Sequence, residues 1–122
     1  MSDISMTQYE MYKNLYSKVD PLDEERLAGR LNTIGNWFGA KLPNTYFMLL
    51  CRERNDYTIF KILRHNYYRT CQELQEVLEN RGEVVDIEYV HGSDCYQCWI
   101  RKDGIVSMYM LFPCDDFVIE VE

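Results

Sequence analysis

Residues 83–112 read EVVDIEYVHGSDCYQCWIRKDGIVSMYMLF, and this stretch decides the fold. Three runs rich in β-branched and aromatic residues are separated by two turn sequences, His91-Gly92-Ser93-Asp94 and Lys102-Asp103-Gly104. This alternation predicts consecutive antiparallel strands joined by tight turns. The chain therefore contains a predicted β-meander whose first three strands are Glu83–Val90, Cys95–Arg101 and Ile105–Phe112.

The two turns also predict how these strands pair. A first turn of four residues places Ile87 opposite Cys98. If the second turn is a three-residue loop with Gly104 in the left-handed conformation, Cys98 lies opposite Met108. Both hairpins then gather the same apolar side chains on one face of the sheet. The opposite face carries Asp86, Glu88, Gln97, Trp99, Ser107 and Tyr109.

The rest of the chain predicts three helices, a β-hairpin and a last strand. Apolar residues recur at three- and four-residue spacings in both N-terminal helices, and a capping box at Thr70-Cys71-Gln72-Glu73 opens the third helix. These elements are Ser5–Val19, Asp20–Gly39, the hairpin strands Tyr46–Arg52 and Tyr57–Leu63, Thr70–Arg81 and Phe117–Val121. We predict a single α+β domain over residues 1–122: two N-terminal helices, a β-hairpin, a third helix and an antiparallel four-strand meander, with the helices packed on one sheet face.

Charge is divided unevenly along the chain. Residues 1–72 contain ten Lys and Arg against eight Asp and Glu, whereas residues 73–122 contain three against twelve. The acidic part is also rich in apolar and aromatic residues, so we expect a folded acidic surface that suits a basic partner. No apolar run is long enough to span a bilayer, and the N-terminus lacks a signal-peptide pattern. We therefore expect no membrane association and a cytoplasmic location, in a bacterium or an infected host cell.

The outer face of the meander is the predicted partner-binding surface. Trp99 stands in the middle of a strand with Asp86 as its cross-strand neighbour, and tryptophan is enriched at the centres of protein interfaces. Cover by a helix is the alternative, but Asp86 and Glu88 would then need cationic partners that the acidic third helix does not supply. We expect one exposed surface formed by Trp99, Tyr109, Asp86, Glu88 and Glu120.

Residues 52–69 form the one basic stretch, with aromatic residues between the cations. Cations for phosphates and aromatic rings for stacking are features of single-stranded nucleic-acid binding. The net charge of −7 opposes direct nucleic-acid binding, and the same cations can balance the acidic sheet within the fold or within an oligomer such as a homodimer. The alternative nucleic-acid site consists of Arg52, Arg54, Arg64 and Arg69.

Signatures of catalysis and of metal binding are weak in this sequence. Cys95 and Cys98 have the spacing of a zinc-binding pair, but the predicted register sends them to opposite faces of one strand. His65 and His91 are the two histidines, and neither lies in a pattern typical of a catalytic triad or a phosphate-binding loop. We expect no catalytic residues, no metal, no cofactor and reduced cysteines.

Together these features favour a small acidic protein-binding module that is not an enzyme. Carboxylates can replace phosphates and aromatic rings can replace bases, so the expected partner is a basic, nucleic-acid-processing enzyme. The size, acidity and tyrosine content resemble those of anti-defence proteins such as anti-CRISPRs, a class without shared motifs. The resemblance implies an inhibitor from a phage or mobile element. Two further functions fit the same sequence: a single-stranded nucleic-acid-binding protein, and an immunity-type regulatory protein paired with one basic toxin or enzyme.

Overall fold

The computed structural model describes residues 4–41, 45–62 and 66–114, with side chains from residue 8 onward. These residues form three helices and five strands, and they confirm the predicted α+β class. In chain order the elements are α1 (Ile4–Tyr16), α2 (Glu24–Gly39), β1 (Tyr46–Cys51), β2 (Asp56–Lys61), α3 (Tyr67–Arg81), β3 (Glu83–Val90), β4 (Cys95–Lys102) and β5 (Ile105–Cys114).

The five strands form one antiparallel sheet in the order β2-β1-β5-β4-β3. The predicted hairpin and the first three strands of the predicted meander are both present. β5 joins these two units by pairing with β1, and Leu49 lies opposite Leu111 in this junction. The described sheet thus has five strands where the sequence predicted a hairpin and a four-strand meander. The predicted last strand, Phe117–Val121, lies outside the described residues.

The turn between β4 and β5 shifts the predicted pairing by one residue. Asp103 and Gly104 alone form this turn, and both have positive φ angles, of 53° and 78°. Positive φ at both central residues is the signature of a type I′ turn, whose twist matches that of the flanking strands. Cys98 consequently lies opposite Tyr109, not opposite Met108. A slip of one residue turns the side chains of β5 to the opposite faces of the sheet.

The hairpin of β3 and β4 has the predicted register over most of its length, with Ile87 opposite Cys98. A β-bulge interrupts it at Val85, so that Val84 takes the position opposite Ile100. Val84 packs into the main core, whereas Val85 belongs to a smaller cluster on the other face. The bulge therefore supplies a β-branched side chain to each face of the sheet.

Helices lie on both faces of the sheet. α2 and α3 cover the face that carries the main core, whose largest fully buried side chains include Ile34, Phe38, Phe47, Leu49, Leu74, Leu78 and Leu111. α1 lies on the other face, over the cluster of Val85, Trp99 and Val106. From the sequence, all helices were predicted to lie on one face of the sheet. α1 lies on the other face, because its tyrosines are spaced three and four residues apart and give it an apolar side that packs on this cluster.

The start of α2 is hydrogen-bonded to the edge strand β3. Asp23 caps the helix, and its neighbour Leu22 donates a backbone hydrogen bond to the carbonyl of Val84 at 2.9 Å. Two turns further on, Nε of Arg30 donates to the carbonyl of Ile87 at 3.1 Å. These contacts align α2 with β3 and bring its N-terminus close to the beginning of that strand.

Candidate partner-binding surface

The tryptophan at the centre of the predicted binding surface is buried. Trp99 is only 2 % exposed, and α1 covers it. The ring centroids of Tyr9, Tyr12 and Tyr16 lie 5.8, 5.7 and 5.1 Å from the ring centroid of Trp99. The prediction that Trp99 is exposed is therefore wrong. The sequence argued against cover by a helix because α3 is acidic. The helix that covers Trp99 is α1, whose tyrosines pack on the indole.

Asp86, the carboxylate opposite the buried tryptophan, has partners from α1 and α2. The hydroxyl of Tyr16 donates to Oδ2 of Asp86 at 2.5 Å, and the backbone N–H of Ile87 donates to Oδ1 at 2.9 Å. The guanidinium of Arg30 lies 3.9 Å from the same carboxylate. Desolvation, followed by the negative charge of Asp86, raises the pKa of Glu88 although its side chain is exposed. Of the four described residues of the predicted surface, Glu88 alone is thus exposed.

Tyr109 lies on the opposite face of the sheet because of the register shift. It is buried, and its hydroxyl donates to Oδ2 of Asp56 at 3.0 Å. Arg81 adds two hydrogen bonds to the same carboxylate, at 2.7 and 2.9 Å. Burial and Asp56 raise the pKa of Tyr109 to about 12, and Arg81 holds the pKa of Asp56 below its ordinary value.

Tyr109 therefore belongs to a polar network that joins the end of α3 to β2. The predicted surface shared by Tyr109 and Trp99 does not form, since the two side chains lie on different faces of the sheet. Glu120, the fifth residue of that predicted surface, lies outside the described residues.

The described cations of the basic stretch are not gathered into one groove. Arg52 and Arg54 lie at the turn between β1 and β2, and Arg69 lies in the first turn of α3. The opposite end of α3 contacts the hairpin through Arg81, so about 18 Å of helix separates Arg69 from that turn. Arg64 lies outside the described residues. Nucleic-acid binding by this stretch stays a prediction.

The cysteines with zinc-like spacing lie on opposite faces of β4, as the sequence predicted. Cys98 belongs to the main core, and Cys95 points to the other side of the strand. Burial raises the pKa of Cys98 to about 12 and that of Cys71 to about 11, so both thiols are protonated at neutral pH. Within residues 4–41, 45–62 and 66–114, no group of three or more His, Cys, Asp or Glu side chains is placed to hold a metal ion.

A groove runs between α2 and α3 on the side away from the sheet. The helices are antiparallel and approach closely where Gly35 faces Cys71 and Gly39 faces Tyr67. A methyl group added at either glycine would lie 3.1 or 3.0 Å from the facing side chain. The groove has a volume of about 230 Å³. We call it the α2–α3 groove; its walls are Ala28, Leu31 and Asn32 of α2 and Tyr68, Gln72 and Gln75 of α3.

The two ends of the α2–α3 groove differ in chemistry. At one end Tyr68 presents a ring that is 61 % exposed. At the other end Glu24 lies one turn before Ala28, and Glu79 lies one turn beyond Gln75. Side chains three or four positions apart share a helix face, so these carboxylates continue the two walls. An aromatic ring, side-chain amides and an acidic end are the groups that a basic segment with one apolar anchor would bind.

The helix dipole stabilises the carboxylate at the start of α2 and destabilises the carboxylates near the end of α3. Glu24 lies in the first turn of α2, where the dipole favours negative charge. Glu76 and Glu79 lie in the last two turns of α3, where the dipole disfavours it. Arg81 is the basic residue of that last turn, and Asp56 already engages it. The acidic end of the groove thus includes charges that do not help α3 to fold.

In the sequence the carboxylates of α3 indicated only that this helix is unsuited to cover the sheet, and the α2–α3 groove was not predicted. A signal was present, because Tyr68, Gln72, Gln75 and Glu79 recur at spacings of four, three and four residues. That spacing predicts one continuous polar and aromatic line along the helix. It does not reveal α2 as the second wall, since this depends on the tertiary packing of Gly35 and Gly39.

Comparison with known proteins adds no functional information. No protein-family model, curated protein or solved structure matches the chain. Across the three described ranges, every helix is too short or too polar to cross a membrane.

Proposed function

We propose that this protein is a non-enzymatic module that binds a basic protein through the α2–α3 groove and its acidic end. The observation that carries the proposal is the position of Glu76 and Glu79 near the C-terminus of α3, against the helix dipole. Residues that oppose local stability in an otherwise consistent fold are expected at functional surfaces. A cationic partner would turn this unfavourable charge into favourable binding energy.

The charge around the groove supports a basic partner. Besides Glu24 and Glu79, exposed carboxylates on this side come from the first turn of α2 and from the outer side of α3: Glu25, Glu73 and Glu76. The surface is thus acidic around a half-apolar groove. Such a field accelerates the encounter with a cationic protein and fixes its orientation.

The groove itself supports an anchoring side chain. Its volume of about 230 Å³ suits one or two side chains of a docked segment. The amides of Asn32, Gln72 and Gln75 can bond to the backbone of that segment, and Tyr68 can pack beside it. We expect the partner to insert one aliphatic or aromatic side chain while a lysine or arginine pairs with Glu79 or Glu24.

The class of partner follows from the same chemistry. Nucleic-acid-processing enzymes present basic grooves to phosphates, and an acidic module can occupy such a groove. We propose an inhibitor of this kind, encoded by a phage or mobile element and acting in the cytoplasm. The thiols of Cys51, Cys71, Cys95 and Cys98 are free, which agrees with a reducing compartment.

The experiment compares three immobilised proteins: the wild type, Glu79→Lys and the matched control Glu10→Lys. Both substitutions make the same charge change at an exposed helix position, but Glu10 lies on α1, on the other side of the sheet. Proteins captured from a bacterial lysate are identified by mass spectrometry, purified, and titrated against each variant by calorimetry. Glu79→Lys should weaken the specific complex about tenfold or more, which is about 1.4 kcal/mol, and Glu10→Lys should leave it unchanged.

Two results would contradict the proposal. One is that every captured protein binds Glu79→Lys as tightly as Glu10→Lys. The other is tight, salt-dependent binding of single-stranded DNA or RNA that Arg54→Glu weakens and Glu79→Lys does not. The second result would favour the nucleic-acid alternative.

A further inference from the structure

α1 carries an apolar stripe beside the tyrosine side that covers Trp99, and Tyr12 belongs to both. Gln8, Met11, Tyr12 and Leu15 follow one another at spacings of three, one and three residues and line an open groove of about 430 Å³. Met11 is 64 % exposed and Leu15 is 51 % exposed. Such a stripe on a short helix is typical of a surface that packs on another protein surface.

The sheet beside α1 is also only partly covered. Leu50, Met110 and Phe112 lie on the face that α1 occupies, and none of them is fully buried. They line a groove of about 220 Å³ together with Tyr9 and Met108, next to the N-terminal half of α1. We call the stripe of α1 and this strip of β1 and β5 the α1 surface. The two halves of the α1 surface are adjacent and both apolar.

We propose that a second copy of this chain binds the α1 surface, so that α1 of each protomer packs against α1 of its partner and the strip of β1 and β5 beside it. An interface around a two-fold axis must be complementary to itself. The α1 surface meets this condition, because it offers both a projecting helix and an open sheet strip that can receive one.

The balance of charges beside α1 favours a second copy of this chain, and not a strongly charged protein, as the partner. The net charge of −7 opposes self-association in general, but the charges on the side of α1 are locally balanced. On the side of α1, five cations balance five carboxylates: Lys13, Lys18, Arg52, Lys61 and Arg101 against Glu10, Glu53, Glu83, Asp86 and Glu88. Two such neutral, apolar surfaces can meet without repulsion. The acidic groove of each protomer then faces outward.

The dimensions predict a weak dimer. α1 has 13 residues and is about 20 Å long. The helix and two strand spacings together are about 20 Å wide. This footprint of roughly 400 Å² per protomer is below the standard size of stable interfaces, so we expect a transient dimer that dissociates in the micromolar range or above. The inference does not depend on the proposed function, because it concerns the opposite side of the sheet.

Sedimentation equilibrium of the full chain between 1 and 200 µM tests the dimer. The wild type should move from the monomer mass of 14.7 kDa toward twice that value as its concentration rises. Leu15→Glu should weaken the dimer at least tenfold, and circular dichroism should show an unchanged fold because Leu15 is exposed. Ile105→Glu is the matched control, since Ile105 is 59 % exposed and lies at the turn of β4 and β5. It should dimerise like the wild type.

Each contrary outcome overturns the proposal. A monomer at 200 µM would mean that no second copy binds; cover by the chain's own residues 115–122, which include Phe117, Ile119 and Val121, would then explain the apolar surface. A dimer that tolerates Leu15→Glu would use another surface. A dimer that Ile105→Glu weakens equally would show that any added charge, and not the α1 surface, controls association.

Discussion

Replacement of Trp99 by alanine tests whether α1 is part of the folded core. The indole is 2 % exposed, so its removal takes roughly 200 Å² of apolar surface out of a buried contact. At about 25 cal/mol per Å² this surface contributes about 5 kcal/mol. The neighbouring tyrosine rings can partly collapse into the space, and we therefore expect a loss of about 3–5 kcal/mol in the free energy of unfolding. This is a large share of the total stability of such a domain, about 5–15 kcal/mol.

Urea unfolding followed by far-ultraviolet circular dichroism measures this loss. Ile105→Ala is the control, because this side chain is mostly exposed and its removal should change the free energy of unfolding by less than about 0.5 kcal/mol. Trp99→Phe keeps an aromatic ring against the tyrosines and should cost less than Trp99→Ala. A loss below about 1 kcal/mol for Trp99→Ala would refute the packing of α1 on β4. Trp99 would then be exposed on the sheet, as the sequence predicted.

The ion pair of Asp56 and Arg81 and the close approach at Gly82 give two more predictions. Because Arg81 lowers the pKa of Asp56, the stabilisation is complete above the unfolded pKa of about 3.9 and is lost as the pH falls through the folded value. Asp56→Asn should lower the free energy of unfolding by about 2 kcal/mol at pH 7 and by less at pH 3; an equal loss at both pH values in urea titrations would contradict this origin. Gly82→Ala should cost about 3 kcal/mol, since φ is +147° and the new methyl group would lie 2.5 Å from the carbonyl oxygen of Arg101. Gly92→Ala, with φ of +88° but no atom within 4 Å, should cost about 1 kcal/mol in the same assay, and equal costs would refute the role of the contact.

The strands could be predicted from the sequence because their pattern is local. Alternating apolar residues and a four-residue turn are sufficient to place Ile87 opposite Cys98. An error in the predicted length of the second turn shifts the register of the whole of β5. Asp103-Gly104 is a strong signal for a two-residue type I′ turn, and including Lys102 in the loop turned Tyr109 to the wrong face.

The local sequence pattern could not predict which helix covers Trp99, because any of the three helices could pack on either face of the sheet. The sequence shows that α3 is too acidic to cover Asp86, but it does not show that Arg30 of α2 and Tyr16 of α1 reach this carboxylate. The α2–α3 groove depends on contacts between helices that are distant in sequence. Its acidic end could be read from the charges of α3, whereas its shape could not.

The hydrogen bonds between the start of α2 and β3 make it harder for the protein to aggregate through this edge of the sheet. An edge strand with unpaired backbone groups is a template to which a strand of another chain can add. Here two carbonyls of that edge, of Val84 and Ile87, already accept hydrogen bonds from Leu22 and Arg30. A foreign strand would have to displace the first turns of α2 before it could pair with β3. The N-terminal turns of this helix therefore protect the sheet against growth into larger assemblies along that edge.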